Sequence, residues 1–328
     1  MTATSAPITE TVVPGAAPRW LRGIFLANLI AQAGIVVTGA IVRLTGSGLG
    51  CPTWPECVEG SYVPTSRQEE AWHKYVEFGN RLLTFVLAAL AIAAVIGALV
   101  WWRRLRASGL PPRTPVLLLA GVPLIGTVVQ AVLGGITVLT GLSPWAVAAH
   151  FLVSMAIIAA CCLLVVRAGE ASDGPAMPLV RTQVLWLGRL LVLATFAVVV
   201  LGVVVTGSGP HSGDADSEAR FGVDPRTVAW LHADAVLLFL GLTVGMIVAL
   251  SVTSGPRRSR TLAWWLLGVS LAQGFVGYTQ YFIGLPWLLV AVHVLGACCV
   301  WILAVLLLLS LRGRSPATVS GAPASSRA

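Results

Sequence analysis

The sequence predicts an all-α polytopic membrane protein, in which eight transmembrane helices form two parallel four-helix repeats and both termini are cytoplasmic. Three observations lead to this fold class: an apolar composition, eight long apolar runs and an internal repeat. Of the 328 residues, 57% are hydrophobic and only 10% are charged, and the mean hydropathy is +0.87. A soluble domain needs more charged residues than this to cover its water-facing surface.

Eight apolar runs have the length of about 20 residues that a helix needs to cross a bilayer core of about 30 Å. They are residues 22–42, 76–101, 115–138, 146–166, 184–206, 228–250, 262–282 and 288–310.

The arginines of the short loops fall on one side of these spans. They are Arg19, Arg22, Arg103, Arg104, Arg106, Arg113, Arg167, Arg181, Arg257, Arg258, Arg260, Arg312 and Arg314. The positive-inside rule makes that side cytoplasmic, which places both termini there. The net charge of +8 follows from this bias, so nucleic acid is not expected as a partner.

The spans divide the chain into four parts. Residues 1–20 form a tail rich in Ala, Thr and Pro that is predicted to be disordered, as is the tail 315–328. The N-terminal four-helix half covers 21–170 and includes a long outer loop over 43–74, and the C-terminal half covers 171–314. The first span is too long for a signal-peptide core, so we expect it to be retained.

The internal repeat has a constant offset of 143 residues: segment 130–150 reads QAVLGGITVLTGLSPWAVAAH and segment 273–293 reads QGFVGYTQYFIGLPWLLVAVH. Each copy carries Gly four residues after its Gln, Gly-Leu further on, then Pro and Trp, and ends in His. The fifth helix echoes the first, with GVVVTG at 202–207 against GIVVTG at 34–39. The repeat therefore extends to four helices per half.

Three histidines and one asparagine are predicted to lie in one layer. His150, His232, His293 and Asn80 each lie a few residues inside the outer end of a helix, about 6–10 Å deep at 1.5 Å per residue. A histidine in an apolar span needs a partner, which is either a ligand or a hydrogen-bonding group. For the facing pair His232 and His293, a haem with two axial imidazoles is the economical ligand. His211 is interpreted as a solvated loop residue.

The first outer loop carries Cys51 and Cys57 on the side of the membrane where disulfides persist. We expect a disulfide there, and two unpaired thiols are the alternative. The other four cysteines are interpreted as core residues inside helices; they are Cys161, Cys162, Cys298 and Cys299.

The second helix places Glu77, Asn80 and Arg81 on neighbouring faces. Glu77 and Arg81 are four residues apart and either form a buried ion pair or perform separate tasks. In the second case Glu77 faces a cavity and takes or gives a proton.

The loop run VTGAIVRLTGSGLGCPTWPEC, the helix-two run VEFGNR, the four-plus-four repeat and the paired histidine-bearing helices together resemble the haem A synthases. This resemblance implies an enzyme of the bacterial plasma membrane, with its long first loop outside, that oxidises the C8 methyl group of haem O to the formyl group of haem A for terminal oxidases. It also implies a haem b in the C-terminal half and the substrate haem in the N-terminal half.

The resemblance further implies roles for individual residues. His232 and His293 would bind the haem b iron and His150 the substrate haem, while Glu77 would be the catalytic carboxylate. The remaining implied site residues are Asn80, Arg81 and His73 around the substrate haem, and Cys51 with Cys57 as the loop pair. The implied partners are the haem O synthase (a farnesyltransferase), an electron acceptor, oxidase assembly factors and further copies of the chain.

Two departures from the family pattern stand out. Many members have His where this chain has Asn80, and the third outer loop lacks the second cysteine pair of some members.

Two other classes of function remain open. One is a non-catalytic dihaem or quinone-linked cytochrome, against which the carboxylate of Glu77 argues, since an electron carrier has no need of it. The other is a transporter built from parallel repeats, which is disfavoured because the polar residues cluster near the outer layer and away from the midplane.

Overall fold

The computed structural model describes residues 15–66, 68–211, 213–214 and 219–314. Its helices are α1 (Arg19–Leu44), α2 (His73–Ala107), α3 (Thr114–Leu139), α4 (Pro144–Gly169), α5 (Thr182–Ser208), α6 (Pro225–Val252), α7 (Arg257–Phe282) and α8 (Trp287–Ser310). Two short strands, β1 (Ala176–Pro178) and β2 (Arg312–Arg314), pair antiparallel. Of the two predicted disordered tails, residues 1–14 and 315–328 lie outside the described residues, and α1 already begins at Arg19.

The predicted fold class of an all-helical polytopic membrane protein is confirmed, since every predicted span lies inside one of these helices. Seven of the described helices are long and apolar enough to cross a membrane, and α7 is the exception. It has 26 residues, which gives a length of about 39 Å. Three arginines in its first turn and the glutamines Gln273 and Gln280 lower its hydropathy. The crossing by α7 therefore remains a prediction.

The Gly-Leu step of the sequence repeat ends a helix in both halves. Gly141 and Leu142 follow α3 with φ of 59° and 63°, and Gly284 and Leu285 follow α7 with φ of 83° and 58°. Glycine adopts this left-handed conformation without steric cost, whereas leucine is strained in it. The same turn thus leads from α3 into α4 and from α7 into α8.

Each half forms a ring of four helices. In the first half α1 packs on α2 and α4, and α3 packs on α2 and α4; in the second half α5 packs on α6 and α8, and α7 packs on α6 and α8. The even-numbered helices of each half therefore lie diagonally across the ring. The halves meet mainly where α8 packs on α1 and α4.

The interface between the halves is a continuous apolar core. Met155 and Cys161 of α4 pack in one buried cluster with Cys298 and Trp301 of α8. The Trp301 Nε1–H donates to the Met155 carbonyl at 2.8 Å, which satisfies the indole in this apolar setting. Of the four cysteines predicted to be core residues, three are buried and Cys299 is half-buried.

A charged network closes the end of the bundle at which α3 begins and α4 ends. The buried Arg113 guanidinium contacts Asp173 at 3.0 Å and donates to the carbonyls of Arg167 and Glu170 at 3.0 and 2.7 Å. Arg167 pairs with both acids, and Arg314 of β2 reaches Glu170 at 3.2 Å. Burial lowers the pKa of Arg113, which the neighbouring Asp173 carboxylate opposes. The network fastens the C-terminal strand to the first half.

Candidate functional site

The first outer loop folds back over the start of α2 and contains the predicted disulfide. Cys51 and Cys57 are bonded, with their Cα atoms 4.3 Å apart. Gly50 lies against the backbone of α2, since a Cβ at that position would stand 2.5 Å from the His73 carbonyl oxygen. A side chain at residue 50 would therefore push the loop off the helix.

The Glu77 carboxylate joins α2 to this loop. One oxygen accepts the backbone N–H of Cys51 at 2.6 Å, and the other accepts from Arg81 Nε at 3.1 Å and Nη2 at 2.6 Å. Glu77 is only 5% exposed. The ion pair that was one of the two interpretations of this sequence is present, and the carboxylate also binds the disulfide loop.

Arg81 binds more of the loop than the sequence indicated. Besides Glu77, its guanidinium donates to the carbonyls of Cys51 at 2.8 Å, Thr53 at 3.0 Å and Glu56 at 3.1 Å. A planar guanidinium offers several fixed N–H directions, and here they point at successive carbonyls of one tight loop. Arg81 thus determines the path of the loop over α2.

Lys74 is a site residue that the sequence reasoning missed. It is 5% exposed, and its Nζ donates to the carbonyls of Thr65 at 2.8 Å and Gln68 at 3.2 Å. The Gln68 amide in turn donates to the Gly50 carbonyl at 3.3 Å. One signal was available, because Lys74 is the single lysine of a chain whose other cationic side chains are arginines.

His73 faces the loop as well. Its Nδ1 shares a hydrogen bond of 2.8 Å with the hydroxyl of the buried Ser47, and its ring stacks on Trp72 with centroids 4.0 Å apart. In this arrangement one ring nitrogen of His73 is already engaged by the protein.

The three deeper histidines differ from His73 in that their Nδ1 atoms are buried without a hydrogen-bond partner; they are His150, His232 and His293. His232 lies near the Val198 carbonyl, but its Nδ1 makes no bond of ordinary geometry. An unpaired buried polar atom costs about 1–3 kcal/mol. The inaccessible Nδ1 atoms are not open to a ligand, whereas the rings as a whole are half-buried, so a ligand would bind the other ring nitrogen, Nε2.

A glycine on the preceding helix faces each of these imidazoles. A Cβ at Gly134 would stand 3.5 Å from Cε1 of His150, a Cβ at Gly202 would stand 3.3 Å from Cε1 of His232, and a Cβ at Gly277 would stand 3.3 Å from Cε1 of His293. Even an alanine at Gly202 or Gly277 would crowd the imidazole of His232 or His293. The glycines of the sequence repeat thus make room for the histidines of the sequence repeat.

The structure brings His232 and His293 together across the second ring. They lie on the diagonal helices α6 and α8, close enough to interact electrostatically. In the first ring the diagonal helices α2 and α4 carry Asn80 and His150. The predicted layer is therefore present as two diagonal pairs, one per ring.

Asn80 is engaged by α1. Its Oδ1 accepts from the Thr38 hydroxyl at 2.8 Å, and its Nδ2 would lie 3.9 Å from a Cβ at Gly39. The amide therefore belongs to the contact between α1 and α2.

Gln130, the first residue of the repeat, fixes the turn that carries His150. Its Nε2 donates to the His150 carbonyl at 3.0 Å and also to the Ser154 hydroxyl. In the second half Gln273 packs against Gly296, where a Cβ would collide with its amide. The sequence showed both glutamines as markers of the repeat and did not reveal this positioning role.

His211 lies at the outer end of the interface between the halves. Its carbonyl accepts from Arg43 Nε at 2.8 Å, and its side chain is half-buried, which corrects the expectation of a fully solvated loop residue. Burial lowers the pKa of His211, and the charges of Arg43 and Arg220 lower it further. This imidazole is therefore kept neutral, away from the two diagonal pairs.

Fold and site together define a polytopic membrane protein with half-buried imidazoles in two four-helix rings. A family model described as cytochrome oxidase assembly protein matches residues 22–211, which is more than half of the chain. The chain belongs to this family. The match covers the first ring and α5, whereas His232 and His293 lie beyond it.

Individual relatives carry a more specific name. Heme A synthase of Bacillus licheniformis is 26% identical over 192 residues, covering 58% of this chain and 58% of the relative. Heme A synthase of Symbiobacterium thermophilum is 32% identical over 200 residues, covering 58% of this chain and 60% of the relative. Heme A synthase of Lysinibacillus sphaericus is 32% identical over 148 residues, or 44% of each chain. The matched part spans less than two thirds of each of these relatives.

Proposed function

We propose that this protein is a haem A synthase that oxidises the C8 methyl group of haem O to a formyl group, giving haem A for terminal oxidases. The observation that carries the proposal is the set of three half-buried imidazoles inside apolar helices, each with a glycine beside it, in a chain whose named relatives are heme A synthases. The family description, cytochrome oxidase assembly protein, agrees with a product destined for an oxidase.

The second ring suits a resident haem b. His232 and His293 lie on the diagonal helices of the second ring, and a glycine on the preceding helix leaves room beside each imidazole. Two imidazoles inside apolar helices, without further ligands, suit haem iron better than zinc, which needs four ligands. When bound, a haem with two axial imidazoles supplies electron transfer.

The first ring suits the substrate haem O. His150 is held by Gln130 through its own carbonyl, so its imidazole has a fixed height in the ring. The diagonal partner Asn80 is engaged by Thr38, and an amide is a weak ligand for haem iron. His150 is thus the residue that holds the substrate, while Asn80, Arg81 and His73 form its surroundings.

Glu77 is the proposed proton acceptor. Converting a methyl to a formyl group with water as the oxygen source releases protons and electrons, so a base near the methyl and an electron acceptor are both needed. Glu77 is fixed by Cys51 and Arg81, lies one helical turn from Asn80 and is almost fully shielded from water. A positioned carboxylate of this kind can take up a proton when one of these hydrogen bonds gives way.

The arrangement in the membrane is part of the proposal. Residues 21–170 and 171–314 would be two parallel repeats, with α7 as the eighth span and both termini cytoplasmic in a bacterial plasma membrane. The shared Gly-Leu turns and the diagonal pairs support the repeat, and the arginine distribution supports the orientation. The haem O synthase, an electron acceptor, oxidase assembly factors and further copies of the chain are its proposed partners.

One observation favours a second candidate, a dihaem or quinone-linked cytochrome that only carries electrons. The Glu77 carboxylate is fully occupied by Arg81 and the Cys51 N–H, as expected for a structural ion pair. In that case Glu77 would hold the loop and have no part in chemistry.

Haem extraction separates the two candidates. The full chain would be expressed with a haem O synthase in a host that lacks haem A, and the extracted haems separated by chromatography. We expect haem A to form and haem b to copurify with the protein. Haem b in a stable protein without any haem A would support the electron carrier and overturn the enzyme.

A further inference from the structure

A cleft of about 720 Å³ opens between the two halves, at the end of the bundle where α1 and α7 begin and α8 ends. Helices α1 and α7 both pack on α8 but make little or no contact with each other. The cleft lies between them, far from the imidazole layer, which is at the opposite ends of these helices. None of the residues proposed for haem chemistry lines it.

Four arginines line the cleft: Arg19 and Arg22 from α1, Arg258 from α7 and Arg312 from β2. All four are exposed, and within the described part of the chain none of their side chains makes a hydrogen bond or ion pair. The one carboxylate in the lining, Glu170, is already paired with Arg167 and Arg314. The mouth of the cleft therefore carries uncompensated positive charge.

The wall of the cleft is apolar one helical turn deeper. Leu26 follows Arg22 by four residues and is 47% exposed, and Val165, Val166 and Leu309 continue the lining. One turn corresponds to about 5–6 Å along the helix. Cationic groups thus lie at the rim and aliphatic groups lie directly beneath them.

Cationic groups at the rim with aliphatic groups beneath them indicate which kind of ligand fits the cleft. A free phosphate ion would use the arginines and leave the apolar wall unfilled, whereas a neutral lipid would use the wall and leave the arginines unpaired. An anionic phospholipid matches both, because guanidinium groups bind phosphate oxygens in paired geometry and acyl chains fill aliphatic grooves. Basic pockets between transmembrane helices bind acidic lipid headgroups on the same principle.

We propose that the cleft binds one anionic phospholipid, with its phosphate between Arg22, Arg258 and Arg312 and an acyl chain along Leu26. The lipid bridges the first turn of α1 and the first turn of α7, which the protein itself leaves apart. It therefore ties the two rings together at the arginine-rich end, in addition to the contacts that α8 and β2 make there.

Native mass spectrometry of the full chain in a neutral detergent tests the proposal. The protein is titrated with dioleoyl phosphatidylglycerol, which is anionic, and with dioleoyl phosphatidylcholine, which has the same acyl chains and no net charge. We expect one molecule of the anionic lipid to bind with clear preference. Each arginine near a membrane surface contributes about five-fold to such binding, so the triple variant Arg22→Gln, Arg258→Gln, Arg312→Gln should bind at least about 100-fold more weakly.

Two further variants separate the cleft from general surface charge. The matched control Arg103→Gln, Arg104→Gln, Arg106→Gln removes three exposed arginines at the end of α2, outside the cleft, and should bind like the wild type. The variant Gly23→Phe keeps every arginine but fills the cleft, because a Cβ at Gly23 meets nothing within 4 Å. The Gly23→Phe protein should no longer bind the lipid. If the triple arginine variant does not fold, this variant alone is enough to test the proposal.

Several results would overturn the proposal. Equal losses in the two triple variants would show attraction to the whole surface, and unchanged binding by Gly23→Phe would place the lipid elsewhere. Equal binding of the two lipids would remove the role of the arginines. Displacement of the lipid by millimolar inorganic phosphate would show that the site recognises the anion alone.

Discussion

The two four-helix rings share the same helix arrangement and differ in the polar side chains that their diagonal helices carry. In both, a histidine on the last helix stands opposite a repeat glycine, at His150 with Gly134 and at His293 with Gly277. On the diagonal helix the second ring has a second imidazole, whereas the first ring has an amide and a carboxylate. Under the proposed function, the second ring would hold a resident haem with two imidazoles, and the first ring would hold the substrate haem with one imidazole beside a carboxylate.

The first and third outer loops, which connect the first two helices of each ring, also differ in how they are held. The first loop is fixed by a disulfide, by the Glu77–Arg81 ion pair and by the hydrogen bonds of Lys74 to two loop carbonyls. In the third outer loop, the contacts include Arg220 to the Gly209 carbonyl at 2.7 Å, Arg43 to the His211 carbonyl at 2.8 Å and the Gly48 N–H to the Gly213 carbonyl at 2.7 Å. Among the described residues, the first loop is the one that a covalent bond holds in addition to its hydrogen bonds.

The largest effect is expected from removing either imidazole of the second ring. His232→Ala and His293→Ala should each abolish or strongly alter a low-spin haem b spectrum, because a single remaining imidazole leaves one axial position without its ligand. The measurement is the reduced-minus-oxidised absorption spectrum of the purified protein.

The control for this change is His211→Ala, since His211 lies away from both diagonal pairs. Its spectrum should equal that of the wild type. If both ligand variants kept an unchanged spectrum, the assignment of haem b to the second ring would be wrong.

The next largest effect concerns Glu77 in the first ring. Glu77→Gln keeps one acceptor oxygen, which can serve either the Cys51 N–H or Arg81. The disulfide and the Arg81 bonds to the loop carbonyls remain, so we expect a folded protein that retains haem b. General acid–base groups contribute about 100- to 10,000-fold, so haem A formation should fall by at least about 100-fold. The measurement is the ratio of haem A to haem O extracted from cells.

Arg81→Leu distinguishes the structural task from the chemical one. It leaves a buried carboxylate unpaired and frees three loop carbonyls, which should lower stability by about 3–5 kcal/mol. The double variant Glu77→Gln, Arg81→Leu should recover part of this stability and none of the turnover. Normal haem A formation by a stable Glu77→Gln protein would end the catalytic claim.

The sequence predicted the helices well because a bilayer imposes a length and a polarity that one chain must satisfy locally. It also predicted the layer, since histidines at equal depth follow from counting residues along helices. The pairing of Cys51 with Cys57 followed from their spacing and compartment. Each of these depends on short-range pattern alone.

The hydrogen bonds of Arg81 to three loop carbonyls could not be predicted from short-range sequence pattern. Carbonyl groups occur at every residue, so which of them a guanidinium meets depends on the path of the loop. The same applies to Thr38 with Asn80, and to Gln130 with the His150 carbonyl. These contacts depend on how helices distant in sequence are rotated against each other, which hydropathy does not record.

A smaller effect is expected from crowding one imidazole through its glycine. Gly277→Ala places a Cβ 3.3 Å from His293 Cε1, so the ring must shift by a few tenths of an ångström. We expect a shifted haem b absorption or midpoint potential with the haem retained. Gly274→Ala, on the same helix, meets nothing within 4 Å and is the matched control.

A glycine-to-alanine change beside a histidine also allows a direct comparison of the two four-helix rings. Gly134→Ala places its Cβ 3.5 Å from His150 Cε1, an ordinary contact, so the first ring should tolerate alanine better than the second. Equal spectra for Gly277→Ala and Gly274→Ala would show that the glycine does not set the position of His293.

The smallest effect is expected from opening the disulfide. Cys51 and Cys57 close a short loop, for which a disulfide contributes about 2 kcal/mol, and the Arg81 contacts to the same loop remain after reduction. Reduction should therefore lower thermal stability slightly and leave haem b in place.

An impermeant maleimide applied to intact cells should label both cysteines only after a reductant is added. The buried thiols of Cys161, Cys162 and Cys298 provide the internal control, since they should stay unlabelled in both conditions. Labelling of Cys51 and Cys57 without reductant would show that the bond does not form in the cell, and the rigidity of the first loop would then rest on Glu77, Arg81 and Lys74 alone.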